Sequence, residues 1–128
     1  MRFTEAEYAA YQRRLQDRHP DTLFEPTEVD FLDQVRTLAK KQGWLVYHTH
    51  DSRGSEAGFP DCVFVLPPSR GRPAGRLVFA ELKVRTGKLS AAQQQWISVL
   101  QTVQQVECYV WRPADWQDIQ GVLLSSTP

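Results

Sequence analysis

Three charged residues lie in apolar surroundings in the middle of the chain. Asp61 opens the apolar run CVFVL, and Glu81 follows twenty residues later, with Lys83 two positions beyond it. Because side chains alternate along a strand, Glu81 and Lys83 share the face that also carries Leu77 and Phe79. Burying carboxylates and an ammonium group is costly unless other groups compensate their charges. These residues are therefore the first candidates for a site that performs chemistry.

Two interpretations of this cluster are open. A structural ion pair, Glu81 with Lys83 or Asp61 with Lys83, would compensate one of the two carboxylates. It would leave the second carboxylate uncompensated at the end of the neighbouring antiparallel strand. A divalent cation between the carboxylates would remove their repulsion. Mg²⁺ or Mn²⁺ on such oxygen ligands activates water and relieves the charge that grows during attack on a phosphodiester.

The sequence around the three residues favours the second interpretation. GFPD ends at Asp61, FAELKVRTGKLS contains Glu81 and Lys83, and AAQQQW and YVWRP follow in that order. This pattern resembles the PD-(D/E)xK nuclease superfamily and, within it, the VRR-NUC family of virus-type replication-repair nucleases, over residues 27–123. The resemblance implies a restriction-endonuclease-like αβββαβ core and a Mg²⁺- or Mn²⁺-dependent DNA endonuclease of the small stand-alone kind found in phages.

The resemblance also implies a role for each residue of the motif. Asp61 and Glu81 would be metal ligands, with the backbone carbonyl of Leu82 as a third ligand. Lys83 would orient the attacking water and stabilise charge at the phosphorus. A lysine among carboxylates remains protonated, so positioning of the water is favoured over general-base action.

Two further residues have both a functional and a structural interpretation. Glu28 falls four residues before Leu32 on the predicted inward stripe of its helix, where related nucleases have an acidic member of the site. A first-turn glutamate is also favoured by the helix dipole. Gln93 resembles a glutamine that helps to form the site in the family, and it is also spaced to complete a capping box with Ser90.

The charge of the chain is balanced overall but unevenly distributed. The sequence has 15 basic and 15 acidic residues, which does not by itself indicate a nucleic-acid partner. Between residues 70 and 88, however, six basic residues accompany one acid. A local basic patch favours a polyanionic partner. We expect five of these residues to lie beside the site and hold DNA phosphates: Arg70, Arg72, Arg76, Arg85 and Lys88.

The histidines and cysteines indicate little chemistry of their own. His48 and His50 form an H-x-H pair, which without further ligands is a weak zinc signal and fits better with strand-end histidines near a substrate groove. Cys62 and Cys108 lie in apolar runs and no CxxC motif is present, so we expect two reduced core thiols.

The elements that position these residues follow from periodicity and capping signals. We predict helices at 4–18, at 27–42 with Thr27 as N-cap, from Ser90 to about 105, and at 115–123. Strands are expected at 44–49, 61–66, 77–84 and 107–111. Short links predict an antiparallel meander of the first three strands, and the intervening helix predicts a parallel, right-handed crossover to the fourth. The fold class is therefore α/β, with a small mixed sheet flanked by helices. We interpret residues 1–25 as a helical appendage and residues 26–128 as the nuclease domain.

Composition and the resemblance together predict the setting of the protein. Apolar residues make up 41% and no apolar run approaches the ~20 residues of a membrane span, so we expect a protein of the cytoplasm of a bacterial or phage-infected host cell. The implied substrate is branched DNA such as flaps or four-way junctions, and the implied partner is a second copy, because a homodimer suits a symmetric junction. The alternative is a catalytically silent DNA-binding or assembly module that keeps the nuclease fold. Retention of Asp61, Glu81 and Lys83 argues against it.

Overall fold

The computed structural model describes residues 6, 7, 10, 26–49 and 54–124 of the chain. In this part the order of elements is α1 (Glu28–Lys41), β1 (Leu45–His48), β2 (Cys62–Leu66), β3 (Arg76–Leu82), α2 (Ala91–Leu100), β4 (Val106–Trp111) and α3 (Trp116–Leu123). A short 3₁₀ turn, Pro113–Asp115, precedes α3. The element types and their order agree with those predicted from the sequence.

A single mixed sheet of four strands forms the centre of the fold, in the order β1-β2-β3-β4. β1 pairs antiparallel with β2, and β2 pairs antiparallel with β3. β3 and β4 are parallel, with α2 as the connection between them. The predicted α/β fold class and the small mixed sheet of a restriction-endonuclease-like core are thus confirmed.

Helix α1 begins at the predicted N-cap, Thr27, and ends just before a glycine. The Thr27 side chain accepts a hydrogen bond from the Asp30 backbone N–H at 3.1 Å, which satisfies one of the free amide groups of the first turn. At the other end Gly43 has a φ of +92°, a left-handed conformation that favours glycine after a helix. These two residues confine the helix to the segment whose apolar stripe faces the sheet.

The main hydrophobic core lies between one face of the sheet and helices α1 and α3. Alternate residues of β2 and β3 point into it, as strand geometry requires. Its fully buried members include Phe31, Val35 and Leu38 of α1, Phe64 and Val78 of the sheet, and Ile119 and Leu123 of α3. This layer holds α1 against the sheet.

Helix α2 lies on the opposite face of the sheet. The Phe59 ring makes edge-to-face contacts with Phe79 of β3, at 5.9 Å between centroids, and with Trp96 of α2, at 5.1 Å. The helix ends at Leu100 and not near residue 105 as predicted. The Thr102 hydroxyl donates to the Val99 carbonyl at 2.6 Å, and residues 101–105 are exposed, so no packing extends the helix.

The structure describes only a few residues of the predicted N-terminal helix. Ala6, Glu7 and Ala10 are helical, and Glu7 forms an ion pair with Lys41 at the end of α1. The rest of the predicted first helix, and with it Thr4, lies outside the described residues. The proposed boundary between residues 25 and 26 stays a prediction.

Candidate active site

The site lies where the start of β2 meets the end of β3. Cys62 pairs with Ala80 in the antiparallel register, so the next pair along the two strands is Asp61 and Glu81. Side chains directly opposite each other in such a pair have Cβ atoms about 5 Å apart. The Leu82 backbone N–H donates to Asp61 Oδ2 at 3.0 Å and ties this carboxylate to the end of β3. The register therefore brings the two predicted carboxylates together.

Glu81 carries a buried carboxyl group on the sheet face that α2 covers. It is only 2% exposed, and Lys83 Nζ lies 3.6 Å from its Oε2 atom. Burial, followed by repulsion from Asp61, raises the pKa of Glu81 to about 8, although the nearby Lys83 acts in the opposite direction. In the metal-free protein the folded state therefore holds a proton on this carboxyl group near neutral pH.

A divalent metal fits the donor set that these strands present. Glu81 Oε1 is buried and has no hydrogen-bond partner among the described residues. A hard cation would compensate both this oxygen and the repulsion from Asp61. No group of three or more His, Cys, Asp or Glu side chains is placed to hold a metal ion in the part of the chain that the structure describes. The protein's share of the coordination would be two carboxylates with backbone oxygen, as suits Mg²⁺, which keeps several of its waters.

Gln93 completes the predicted capping box and also contacts the Glu81 carboxyl group. Its Oε1 accepts from the Ser90 N–H at 2.8 Å while Ser90 Oγ accepts from the Gln93 N–H at 3.1 Å, which completes the capping box. At the same time its Nε2 donates to Glu81 Oε2 at 3.0 Å. The first turn of α2 is thereby joined directly to the buried carboxylate.

Helix α2 also holds the loop that leads into Asp61. Trp96 Nε1 donates to the Ala57 carbonyl at 3.2 Å. Gly58 has a φ of +89°, and a Cβ atom there would lie 2.4 Å from the backbone carbon of Ala92. These contacts were not predicted from the sequence, although a glycine three residues before Asp61 is a signal of a close backbone approach.

Two cavities flank the Asp61 side chain, and Asp61 and Thr49 line both of them. The first, which we call the α1 cavity, has a volume of about 200 Å³ and is lined by Glu28, Val29, Leu32, His48, Thr49, Asp61 and Leu82. The second, the α2 cavity, has a volume of about 450 Å³ and is lined by Thr49, Ser55, Glu56, Ala57, Gly58, Phe59, Asp61 and Gln93. The cavities form a recess across the end of the sheet.

The structure brings Glu28 and Leu82 to this recess. Glu28 is exposed and lines the α1 cavity together with Asp61, at the edge of the predicted stripe and not within it. Leu82 lines the same cavity, as does His48 at the end of β1. His50 lies outside the described residues, so the H-x-H pair stays a prediction.

A comparison with known families decides which proteins this site belongs with. The sequence matches the VRR-NUC domain over residues 6–113. The chain belongs to the VRR-NUC family. This confirms the family to which the motif pointed, and with it a nuclease fold whose substrate class is DNA. No curated protein and no solved structure matched the chain.

The end of the VRR-NUC sheet that carries the carboxylates also carries exposed basic residues. Arg85 and Lys88 lie in the turn that follows Lys83, and both are exposed. Arg112 Nη2 donates to the Gly87 carbonyl at 2.7 Å and Nη1 donates to the Arg85 carbonyl at 3.4 Å, so Arg112 braces this turn. Arg112 belongs to the YVWRP motif, and no role was predicted for it from the sequence.

The other three basic residues lie at the opposite end of the sheet. Arg76 begins β3, five residues before Glu81, which corresponds to about 17 Å along a strand. Its guanidinium group makes two hydrogen bonds to the Glu107 carboxylate, at 2.8 and 2.9 Å, and lies over the Trp44 ring. Arg72 donates to the Ala74 and Pro67 carbonyls within its own loop. The expectation that Arg70, Arg72 and Arg76 lie beside the carboxylates was therefore wrong, because the antiparallel register turns their loop away.

The two cysteines agree with the expectation of free thiols in the core. Cys62 and Cys108 are free thiols and both are buried. Burial raises the pKa of the Cys62 thiol to about 12, so it is unreactive near neutral pH. No helix within the described ranges is long and apolar enough to cross a membrane.

Proposed function

We propose that this VRR-NUC protein is a DNA endonuclease that depends on Mg²⁺ or Mn²⁺. The observation that carries the proposal is the buried Glu81 carboxyl group opposite Asp61, with Lys83 at 3.6 Å and one oxygen atom that receives no hydrogen bond from any described residue. A structural ion pair accounts for Lys83 and one carboxylate only. Two converging carboxylates beside an open recess are the donor set that a hard divalent cation requires.

Each residue of the site has a distinct chemical task in this proposal. Asp61, Glu81 and the Leu82 carbonyl hold the cation, which when bound supplies Lewis acidity at the phosphodiester and a lower pKa for water. Gln93 holds the Glu81 carboxyl group in place through Nε2. Lys83 orients the attacking water and neutralises the negative charge that develops on the phosphoryl oxygens.

Arg85 and Lys88 are the proposed contacts with the DNA backbone. Both project from the turn directly after Lys83, and Arg112 stabilises that turn through two backbone carbonyls. Phosphate contacts of this kind set the register of the duplex without reading its sequence. Arg70, Arg72 and Arg76 have no such role in this proposal, because they lie at the opposite end of the sheet from the carboxylates.

Branched DNA is the proposed substrate, and a homodimer is the proposed assembly. Two sites related by a twofold axis suit the symmetry of a four-way junction. The edge strand β1 supports such an assembly, because Leu45 and Tyr47 are 66% and 64% exposed on the sheet face opposite the main core. A mass measurement in solution, by light scattering at several concentrations, tests the dimer directly.

Cleavage of a DNA panel tests the proposed activity. Labelled linear duplex, single strand, flap and four-way junction are incubated with the protein in Mg²⁺, in Mn²⁺ or in chelator. We expect cuts in either metal, none in chelator, and faster cutting of the branched DNAs. Binding without cleavage in every condition would instead support the catalytically silent module. Equal rates on linear and branched DNA would contradict the substrate preference alone.

A further inference from the structure

Helix α2 differs from the rest of the chain in its charge. Charged residues make up 23% of the sequence, yet none of residues 89–106 is Asp, Glu, Lys or Arg. Only Ile97 of α2 is buried, so the helix presents an uncharged face to solvent. Helices on protein surfaces ordinarily carry charged side chains on their outer face. Without cations this face does not attract DNA, and depletion of charge is typical of the centre of a protein–protein interface.

One flank of α2 is apolar as well as uncharged. Trp96, Val99 and Val103 are spaced at i, i+3 and i+7, which places them on one side of the helix and of the turn that follows it. Val99 is 58% exposed and Val103 is 44% exposed. Trp96 contacts Phe59 in the loop that leads into β2, so this flank lies on the β2 side of the helix. A cavity of about 290 Å³ opens beside it, where Gln95 joins Trp96 and Val99 in the lining.

The part of the sheet next to this flank is also apolar and uncovered. Tyr47 pairs with Val63 and Val63 pairs with Phe79, so the three side chains form one row on a single face of the sheet. The loop before β2 covers this face at Phe79, whereas Tyr47 is 64% exposed. Leu45 and Val65, the next pair on the same face, are also exposed. The flank of α2 and this half of the sheet border each other. We call them together the α2 surface, which consists of Leu45, Tyr47, Val65, Trp96, Val99 and Val103.

We propose that the α2 surface binds a second copy of the chain, with the two α2 helices side by side and parallel. The inference rests on the proposed nuclease function and specifies the interface of its dimer. Helix α2 begins at the site, where Gln93 contacts Glu81, and runs away from it to Leu100. A twofold axis parallel to the helices therefore turns both recesses toward the same side of the dimer, where one DNA molecule reaches both.

The absence of charge favours a second copy over a different protein. Beside a twofold axis of this kind, each residue of the α2 flank meets the same residue of the other copy. A Lys or Glu side chain there would face an identical charge, which opposes association. An amide has both donors and an acceptor, so two glutamines that face each other satisfy both groups. Gln95, which is exposed on this flank, has a side chain of that kind. A different partner would be selected by complementary charges, and the α2 surface has none.

Opposite charges introduced at one residue of this surface test the proposal. Val99→Glu and Val99→Lys each bring two like charges together across the axis, and we expect each to weaken dimerisation at least about a hundredfold. An equimolar mixture of the two variants brings opposite charges together and should recover the mass of the dimer. Light scattering without DNA measures the wild type, each variant and the mixture, and thermal melting shows that the variants are folded.

A matched control places the same charges elsewhere. Gln117 is exposed on α3, at the opposite face of the sheet. Gln117→Glu and Gln117→Lys should therefore keep the mass of the wild-type dimer.

Disulfide formation tests the orientation of the two helices. Gln95 and Val99 lie about one turn apart on α2. Because Cys62 and Cys108 are buried, they do not compete with an introduced surface thiol. In the parallel arrangement, Gln95→Cys and Val99→Cys should each form a disulfide between copies under mild oxidation. An antiparallel pair of helices permits this at one of the two positions at most.

The outcomes separate the interface from the nuclease function. A monomeric wild type, charge variants that stay dimeric, or a mixture that stays monomeric would overturn the proposal, whether or not the protein cleaves DNA. A disulfide at only one position would overturn the parallel arrangement. A dimer that the mixture recovers, without cleavage of any DNA, would contradict the nuclease function and leave the interface standing. Because Val99 lines neither cavity of the recess, Val99→Glu should cleave a flap at the wild-type rate and lose only the paired cuts in a four-way junction.

Discussion

The proposed chemistry depends most on the carboxyl group of Glu81. It is buried, it faces Asp61 across two adjacent strands, and Lys83 lies 3.6 Å from it. Such an arrangement costs free energy in the metal-free protein, because the Glu81 carboxyl group must either give up its charge or keep it, buried, beside Asp61. A structural ion-pair network would make the opposite contribution, so the two explanations predict different stabilities for the same variants.

Isosteric replacement of the three motif residues separates these explanations. Asp61→Asn removes a carboxylate charge, Glu81→Gln replaces the carboxyl group by one that can carry no charge, and Lys83→Met removes the ammonium group while keeping the stem. We expect all three to abolish metal-dependent cleavage, and the two acid variants to melt no lower than wild type because repulsion is relieved. Thermal melting and cleavage assays on the same preparations measure both effects. Active variants that lose the ~3–5 kcal/mol typical of a broken buried pair would contradict the site.

The raised pKa of Glu81 predicts how stability changes with pH. Its pKa increases from the ordinary value of 4.5 to about 8, mainly through burial, so the folded state holds a proton that the unfolded chain has released. Between these two pH values the folded protein therefore loses stability as the pH rises. In chelator, we expect wild type to melt lower at pH 8.5 than at pH 6. Glu81→Gln should lack this part of the decrease, and identical pH profiles for the two proteins would contradict the assignment.

At the scale of elements, helix α2 positions the site from two directions. Its first turn holds Glu81 through Gln93, and its Ala92 and Trp96 hold the loop that leads to Asp61. The helix lies on the sheet face opposite the main core. Its contacts with the site are therefore separate from the contacts that build the core. Variants of α2 and of the loop therefore distinguish positioning of the site from general stability.

The two roles of Gln93 are separable by paired variants. Gln93→Glu keeps an acceptor for the Ser90 N–H but replaces the donor to Glu81 with a second carboxylate oxygen. Ser90→Ala removes one hydrogen bond of the cap and leaves the contact with Glu81 in place. We expect Gln93→Glu to reduce cleavage at least tenfold and, because it sets a second carboxyl group beside Glu81, to melt lower at pH 8.5 than at pH 6. Ser90→Ala should cost about 1 kcal/mol of stability and keep its cleavage rate. The reverse pattern would identify Gln93 as a capping residue only.

Gly58 is the position where the loop tolerates no side chain. Gly58→Ala would combine a positive φ with a contact of 2.4 Å to the Ala92 backbone, so we expect a loss of about 2 kcal/mol or more. Gly121→Ala is the matched control, since nothing lies within 4 Å of a Cβ atom there and the residue is inside α3. That change should stabilise the protein by roughly 0.5–1 kcal/mol. Denaturant unfolding measures both values, and a Gly58→Ala variant as stable as wild type would show that the loop can move away from α2.

At the scale of the whole molecule, the two ends of the sheet differ in function. The end with Asp61 and Glu81 opens into the recess and carries the exposed turn of Arg85 and Lys88. The other end carries the loop of Arg70 and the ion pair between Arg76 and Glu107. Because the overall charge is balanced, we expect the distribution of charge and not its sum to direct DNA to the end with the carboxylates.

The salt dependence of DNA binding tests whether DNA contacts only the end of the sheet that carries the carboxylates. Replacing Arg85 and Lys88 together by glutamine should reduce the slope of log K against log salt by up to about 2, since each lost phosphate contact lowers it by about 0.9. Replacing Arg70 and Arg72 together changes the net charge equally at the far end and should leave the slope unchanged. Titration in chelator at several salt concentrations measures both slopes. An equal reduction by both pairs would mean that DNA extends over the whole sheet.

Local sequence was sufficient for the elements and for the identity of the chemical residues. Strand alternation put Glu81 and Lys83 on one face, capping residues marked the starts of α1 and α2, and short links determined the antiparallel meander. These features depend on residues a few positions apart, whose geometry the backbone itself determines. The GFPD and ELK motifs then identified the family.

Only the tertiary structure decided which remote residues meet. The pairing register set Asp61 opposite Glu81, and α2 brought Gln93 to the same carboxyl group. The same register carried the Arg76 loop to the far end, against the expectation from its closeness in sequence. These outcomes depend on contacts between residues that are distant along the chain, and a strand of seven residues is long enough to separate its two ends completely. Closeness in sequence therefore indicated candidate residues for the site but not the residues that the fold places around them.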